Sequence, residues 1–228
     1  MSRRQILSGL GTTALAAATV KPDEASALVV IDVQNCFLPG GSLAVKDGDQ
    51  VVPVINKLAK AFSNVVLTQD WHTGGHISFA SSHSGKKPFE TVDLDYGKQV
   101  LWPDHCVQGT EGAALSEDLA IPHAGLVIRK GFRKHVDSYS AFTEADGKTT
   151  TGLAGYLKAR NIEKLFLSGL ATDFCVAWSA LDARKAGFET YVIEDACRGI
   201  DTQGSLAAAW ADMTKAGVKR IQSADIAI

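Results

Sequence analysis

Lys164-Leu-Phe-Leu-Ser-Gly-Leu-Ala-Thr-Asp-Phe-Cys175 reads as a buried strand, a sharp turn and the opening of a helix. The apolar run from Lys164 to Ser168 is closed by Gly169, the pattern of a strand covered on both sides. Past the turn, Phe174, Trp178 and Leu181 recur at helical spacing up to Lys185, and Gly187 is a C-terminal stop. Thr172 is expected to cap that helix, which places Cys175 in its first turn. Unpaired N–H groups and the backbone dipole there favour a thiolate. An open α/β sheet places a nucleophile at such a point, beyond the carboxyl end of a parallel strand. A lone cysteine is more often a small buried residue, so the rest of the chain has to carry the reading.

Working outward, strands alternate with crossover helices. Ala27-Leu-Val-Val-Ile-Asp-Val33 is a continuous β-branched run of the kind buried on both faces. Further strands are expected at 64–68, 125–130, 189–194 and 218–222. Helices are expected at 50–61, 152–160, 172–186 and 205–216, from apolar residues at helical spacing and from Thr151 as a cap. This alternation implies a three-layer, doubly wound α/β fold with a six-stranded, mainly parallel sheet. Counted along the chain, the expected strand order is 3-2-1-4-5-6. Its ligand crevice then opens between strands 1 and 4. Asp32, Lys130 and Cys175 all fall at or just beyond strand carboxyl ends facing that crevice. A carboxylate inside an apolar strand needs a partner, and Lys130 is inward if Arg129 points outward.

The stretch from 71 to about 125 is long, rich in Gly, His, Ser and Pro, and expected to be mostly irregular; such loops are commonly functional. Asp70 and His72 can share a face of extended backbone, and His105 lies on the turn Trp102-Pro-Asp-His-Cys106. One carboxylate and two or three imidazoles suit Zn, Fe or Mn, with positions left open. Four cysteines (36, 106, 175, 197) show no CxxC pair and suggest neither a zinc ribbon nor a disulfide framework.

At 228 residues, 46% apolar, 21% charged and a formal net charge of −2, the chain has room for one core. It carries no basic stripe for nucleic acid. Residues 1–26 differ from the rest. Arg3-Arg4 precedes a weakly apolar run from Leu7 to Val20, and small-residue cleavage sites follow around Ala16–Ala18 and Ala25–Ala27. This pattern matches a twin-arginine export leader, too short to span a membrane. The expectation is a periplasmic domain over 27–228, not held at the membrane after processing, with a cytoplasmic location as the alternative.

Six ordered motifs carry a resemblance. They are Val30-Ile-Asp-Val-Gln-Asn-Cys-Phe37, Asp70-Trp-His72, Trp102-Pro-Asp-His-Cys-Val-Gln-Gly109, Arg129-Lys-Gly131, Asp137-Ser-Tyr-Ser-Ala-Phe142 and Gly169-Leu-Ala-Thr-Asp-Phe-Cys175. From about Leu28 onward the chain resembles the nicotinamidases of the isochorismatase-like cysteine hydrolase superfamily. Cys36 departs from it, since an acidic residue is more usual there. The resemblance implies hydrolysis of nicotinamide, and of pyrazinamide, through a thioester. It implies Cys175 as nucleophile, Asp32 as base and Lys130 between them. The oxyanion hole would be the N–H groups of Ala171 and Cys175, after a non-proline cis peptide. Phe37 and Trp102 would sandwich the ring, and Asp70, His72 and His105 would hold one divalent metal, zinc first, with His76 either a fourth ligand or a contact behind the ligands. A small-molecule substrate is the expected partner, and a homo-oligomer is an open expectation. Two other readings remain: a related amidase or ureido hydrolase without the metal, and a silent metal- or nicotinamide-binding protein.

Overall fold

The computed structural model describes residues 19–228, so most of the expected leader lies outside the described residues. Six parallel strands form the central sheet: β1 (Ser26–Ile31), β2 (Asn64–Asp70), β5 (Leu126–Lys130), β6 (Lys164–Leu170), β7 (Glu189–Arg198) and β8 (Lys219–Ile221). Their order is β5-β2-β1-β6-β7-β8, the expected 3-2-1-4-5-6 once a separate hairpin is left out of the count. Period-two alternation along β1 explains the unbroken apolar run. Leu28 and Val30 pack with Val51, Ile55 and Leu58 of α1 (Val51–Ala59) on one face. Ala27, Val29 and Ile31 pack on the other. That second face is covered by Leu153 and Leu157 of α2 (Leu153–Ala159), Ala180 of α3 (Ala177–Lys185) and Met213 of α4 (Ser205–Lys215). Each fully buried aliphatic contributes about 1.5–3 kcal/mol, so both faces are committed and only the strand ends are free for chemistry.

Those ends converge. β1 runs into Asp32, whose φ of 48° turns the chain out of the sheet. Asp70 closes β2, Lys130 closes β5, and Ala171 follows β6 across a cis Leu170–Ala171 peptide. The crevice lies where the sheet order reverses, between β1 and β6.

Two expectations change, and one pairing is new. Thr172 makes no side-chain cap. Instead the chain forms one π-helical turn, Thr172–Val176, with Val176 N–H reaching back to the Ala171 carbonyl at 3.1 Å, and α3 begins only at Ala177. Such turns occur often at functional sites, and Cys175 lies inside this one. The 71–125 segment is also less irregular than its composition suggests. Within it β3 (Thr91–Leu94) and β4 (Gly97–Val100) pair antiparallel, with Gly97 at φ 118° closing the turn. Last, Val20 is stitched to the C-terminal segment, donating to Asp225 O at 2.7 Å and accepting from Ala227 N at 3.0 Å. No helix among the described residues is long and apolar enough to cross a membrane.

Candidate active site

Lys130 is fully buried, which an ammonium tolerates only among partners. Its three N–H bonds go to Asp70 Oδ1 at 2.5 Å, Ser138 O at 3.1 Å and Cys175 Sγ at 3.3 Å. Asp32 Oδ2 lies 2.7 Å away in a fully buried ion pair. The other oxygen of Asp32 accepts from the Thr68 hydroxyl at 2.5 Å, and that hydroxyl accepts the Asp32 N–H at 3.0 Å. The structure therefore brings Asp32, Lys130 and Cys175 together. Ligand atoms of Asp32, Asp70 and Cys175 lie within 4.8 Å of one another.

Burial sets the resting protonation. It pushes the Cys175 thiol well above its ordinary range against the pull of Lys130, so the expectation of an easily formed thiolate is corrected. The helix dipole that motivated it is outweighed by desolvation in an enclosed site. Burial also raises Asp32, with Lys130 opposing and Asp70 adding repulsion. At Asp70 burial acts upward too, but Lys130 and His72 outweigh it and hold the carboxyl well below the usual range. Lys130 loses from burial and gains more from Asp32 and Asp70, and stays firmly charged.

The second oxygen of Asp70 faces two imidazoles, His72 Nε2 at 3.6 Å and His105 Nε2 at 3.8 Å. His72 Nδ1 meets Gly131 O and His105 Nδ1 meets Pro103 O, both at 2.8 Å. A carbonyl only accepts, so both Nδ1 atoms donate, and in the neutral form of each ring it is Nε2 that carries the lone pair facing the carboxylate. Three acceptors converging across gaps too long for hydrogen bonds fit a divalent cation. Asp70, His72 and His105 form such a group of buried ligands. His76 does not join it. Its Nε2 donates to Arg133 O at 2.9 Å, and its Nδ1 accepts from Ser78 Oγ at 2.8 Å, so neither nitrogen is free. Of the two roles expected for it, the contact behind the ligands fits: burial lowers His76 to about 4, and its ring packs against His72, centroids 4.3 Å apart.

A narrow pocket joins the two halves. Cys175 and Ala171 lie on its wall with Asp70, His72 and His105, and Phe37 and Trp102 both line it. Sequence reasoning assigned no role to Tyr139, Asp137, Phe174 or Ile200, which also line it; the first three sit inside the quoted motifs, which was the available signal. It also missed a disulfide. Cys36 and Cys106, 70 residues apart, are bonded with Cα atoms 5.8 Å apart, tying the turn that carries Phe37 to the turn that carries His105. Nothing in the cysteine spacing indicated the pairing.

Comparisons with known proteins agree with this architecture. The isochorismatase domain model matches residues 26–225. The nicotinamidase of Acinetobacter baylyi is 59% identical over 202 residues, covering 89% of this chain and 94% of the relative. The solved nicotinamidase/pyrazinamidase of Acinetobacter baumanii superposes with a TM-score of 0.89 at 64% identity, over 90% of this chain and 99% of that one. The pyrazinamidase of Pyrococcus horikoshii, solved in complex with zinc, gives 0.71 at 33% identity over 87% and 99%. The chain belongs to the isochorismatase family, among its nicotinamidases.

Proposed function

We propose that this amidohydrolase converts nicotinamide to nicotinate and ammonia by covalent catalysis at Cys175, and accepts pyrazinamide in the same pocket. The observation that carries the mechanism is the placement of Lys130. It lies 2.7 Å from Asp32 Oδ2 and 3.3 Å from Cys175 Sγ, so base, cation and nucleophile share one enclosed site in which Asp32 can take the thiol proton.

Asp32 removes that proton as Sγ attacks the carboxamide carbon, forming the C–S bond and sending the carbonyl electron pair to oxygen. N–H groups of Ala171 and Cys175 receive the oxyanion, and Lys130 neutralises the charge passing between sulfur and carboxylate. As the C=O re-forms, the C–N bond breaks and Asp32 returns its proton to the departing nitrogen, which leaves as ammonia. Water then attacks the thioester with Asp32 again as base, releasing nicotinate and restoring the thiol. Phe37 and Trp102 hold the ring between apolar planes. Asp70, His72 and His105 would hold one divalent ion, which would supply Lewis-acid anchoring and polarisation of the substrate ring. Zinc is the favoured identity, supported by the imidazole-rich donor set and the zinc-bound Pyrococcus relative.

The reading extends to location. The twin arginine ahead of a weakly apolar run supports export of the folded, metal-loaded chain to the periplasm. The Val20 pairing supports processing before residue 20.

Ammonia release from nicotinamide tests the chemistry. Wild type turns over, Cys175→Ala falls to background while keeping its fold, and chelated enzyme loses activity that added zinc restores. Turnover surviving Cys175→Ala refutes the covalent route. Full activity after verified metal removal refutes the ion's role.

A further inference from the structure

The hairpin of β3 and β4 belongs to neither face of the sheet, and among its strand residues only Gln99 is buried. Gln99 is 1% exposed and is not itself on the pocket wall. Its amide nitrogen donates to Val100 O and to Asp137 Oδ2, both at 2.7 Å, which uses its two hydrogens, and it packs against Tyr139 Oη at 3.0 Å. Its amide oxygen accepts from the hydroxyl of Tyr96, in the hairpin turn, at 3.0 Å. Tyr139 Oη also accepts the indole N–H of Trp102 at 2.9 Å. Asp137, Tyr139 and Trp102 all line the pocket. One amide from outside the catalytic crevice thus links three groups of the wall.

The orientation of that amide is determined by its partners. The Val100 carbonyl can only accept, so nitrogen must face it, and oxygen is then left for the Tyr96 hydroxyl. With both ends engaged, the side chain has one arrangement. Tyr139 Oη accepts the Trp102 N–H and packs against the Gln99 amide, so Gln99 holds in place the acceptor that sets the plane of Trp102. Asp32, Lys130 and Cys175 have no hydrogen bond to Gln99.

We propose that Gln99 is a positioning residue for recognition of the substrate ring, acting through Tyr139 and Trp102. This rests on the reading of Trp102 as a wall of the ring pocket. Gln99→Met keeps the side-chain volume and deletes the amide, freeing Tyr139 to turn and leaving the Trp102 N–H without a fixed acceptor. Ring binding weakens in the ground and transition states alike, so KM rises while kcat holds.

The test is steady-state hydrolysis of nicotinamide by metal-loaded protein, with near-UV circular dichroism and melting curves as fold controls. Gln99→Met is expected to raise KM about tenfold with kcat within about threefold of wild type. Tyr96→Phe removes one half-buried hydroxyl, keeps the fold, and is expected to raise KM about threefold. Trp102→Ala is the reference for the pocket itself. If Trp102→Ala raises KM while Tyr96→Phe and folded Gln99→Met leave it unchanged, the role of Gln99 is refuted and the pocket reading stands. A fall in kcat at constant KM in Gln99→Met also refutes it. If Trp102→Ala leaves KM unchanged, the ring-wall reading fails and the proposal fails with it. Should Gln99→Met not fold, Tyr96→Phe decides.

Discussion

Replacing Lys130 by Met keeps the length and apolar contacts of the side chain and deletes only the ammonium. Two fully enclosed carboxyls then lose the cation that lies 2.7 Å from Asp32 and 2.5 Å from Asp70. Removing one member of a buried ionic cluster costs about 3–5 kcal/mol, which corresponds to roughly 6–20 °C in Tm for a domain of this size. The pH dependence identifies the cause. In the wild type, Asp70 titrates well below its unfolded value, chiefly because Lys130 and His72 outweigh burial. It therefore adds stability above the unfolded pKa of about 4, and that stability is lost as pH falls through the lower folded value. In Lys130→Met, burial is left as the main influence on both carboxyls and their folded pKa values rise. The penalty is small while both are protonated, grows as pH climbs past about 4, and levels off above the raised folded values. Chelated wild type and variant should melt close together near the acid end and far apart at neutral pH, followed by circular dichroism. A gap that stays constant with pH, or stays below about 2 °C at neutral pH, refutes the placement of Lys130 as the neutralising cation. Turnover by the variant should be at background.

Gly131 adopts φ 66°, and a Cβ there would lie 2.5 Å from His72 Cε1 and 2.8 Å from His72 Nδ1. Gly131→Ala should displace that ring and weaken metal binding about 10–100-fold, read by competition with a chromogenic chelator; unchanged affinity excludes His72 as a ligand. Thr68→Val deletes the hydroxyl that engages both Asp32 N–H and Oδ1. It should destabilise by about 1–3 kcal/mol and lower kcat, whereas Thr68→Ser should recover both. A reporter fused to residues 1–27 should be exported and Arg3-Arg4→Lys-Lys should retain it; a reporter kept inside with either leader argues for a cytoplasmic enzyme.

The sheet was legible because each strand is a short apolar run closed by a glycine or polar turn, and two-sided burial makes that pattern self-evident in 27–33 and 164–168. Asp32, Lys130 and Cys175 were legible as strand-end residues, since the doubly wound topology alone sends those ends to one crevice. The hairpin was not. Seven of the eight residues in β3 and β4 are exposed or only partly buried, so no apolar stripe announces them. Gln99 was invisible for the same reason, because its partners come from residues 96, 137 and 139 and meet it only after folding. The role of His76 stayed open between ligand and contact behind the ligands, because the carbonyls that engage it belong to 133 and 136, which spacing does not reveal. The Cys36–Cys106 bond spans 70 residues and needed the fold to be seen.

The Asp70 carboxylate is divided between two masters, one oxygen on the Lys130 amine and the other toward the paired imidazoles. An amide at that position would present a donor to one side or the other, so a single base change strikes ion retention and thiol chemistry together. On the proposed reading, a descendant that discards the ion must therefore rebuild the surroundings of the Lys130 ammonium in the same stroke. Designers seeking a metal-free amidase on this scaffold inherit the same constraint.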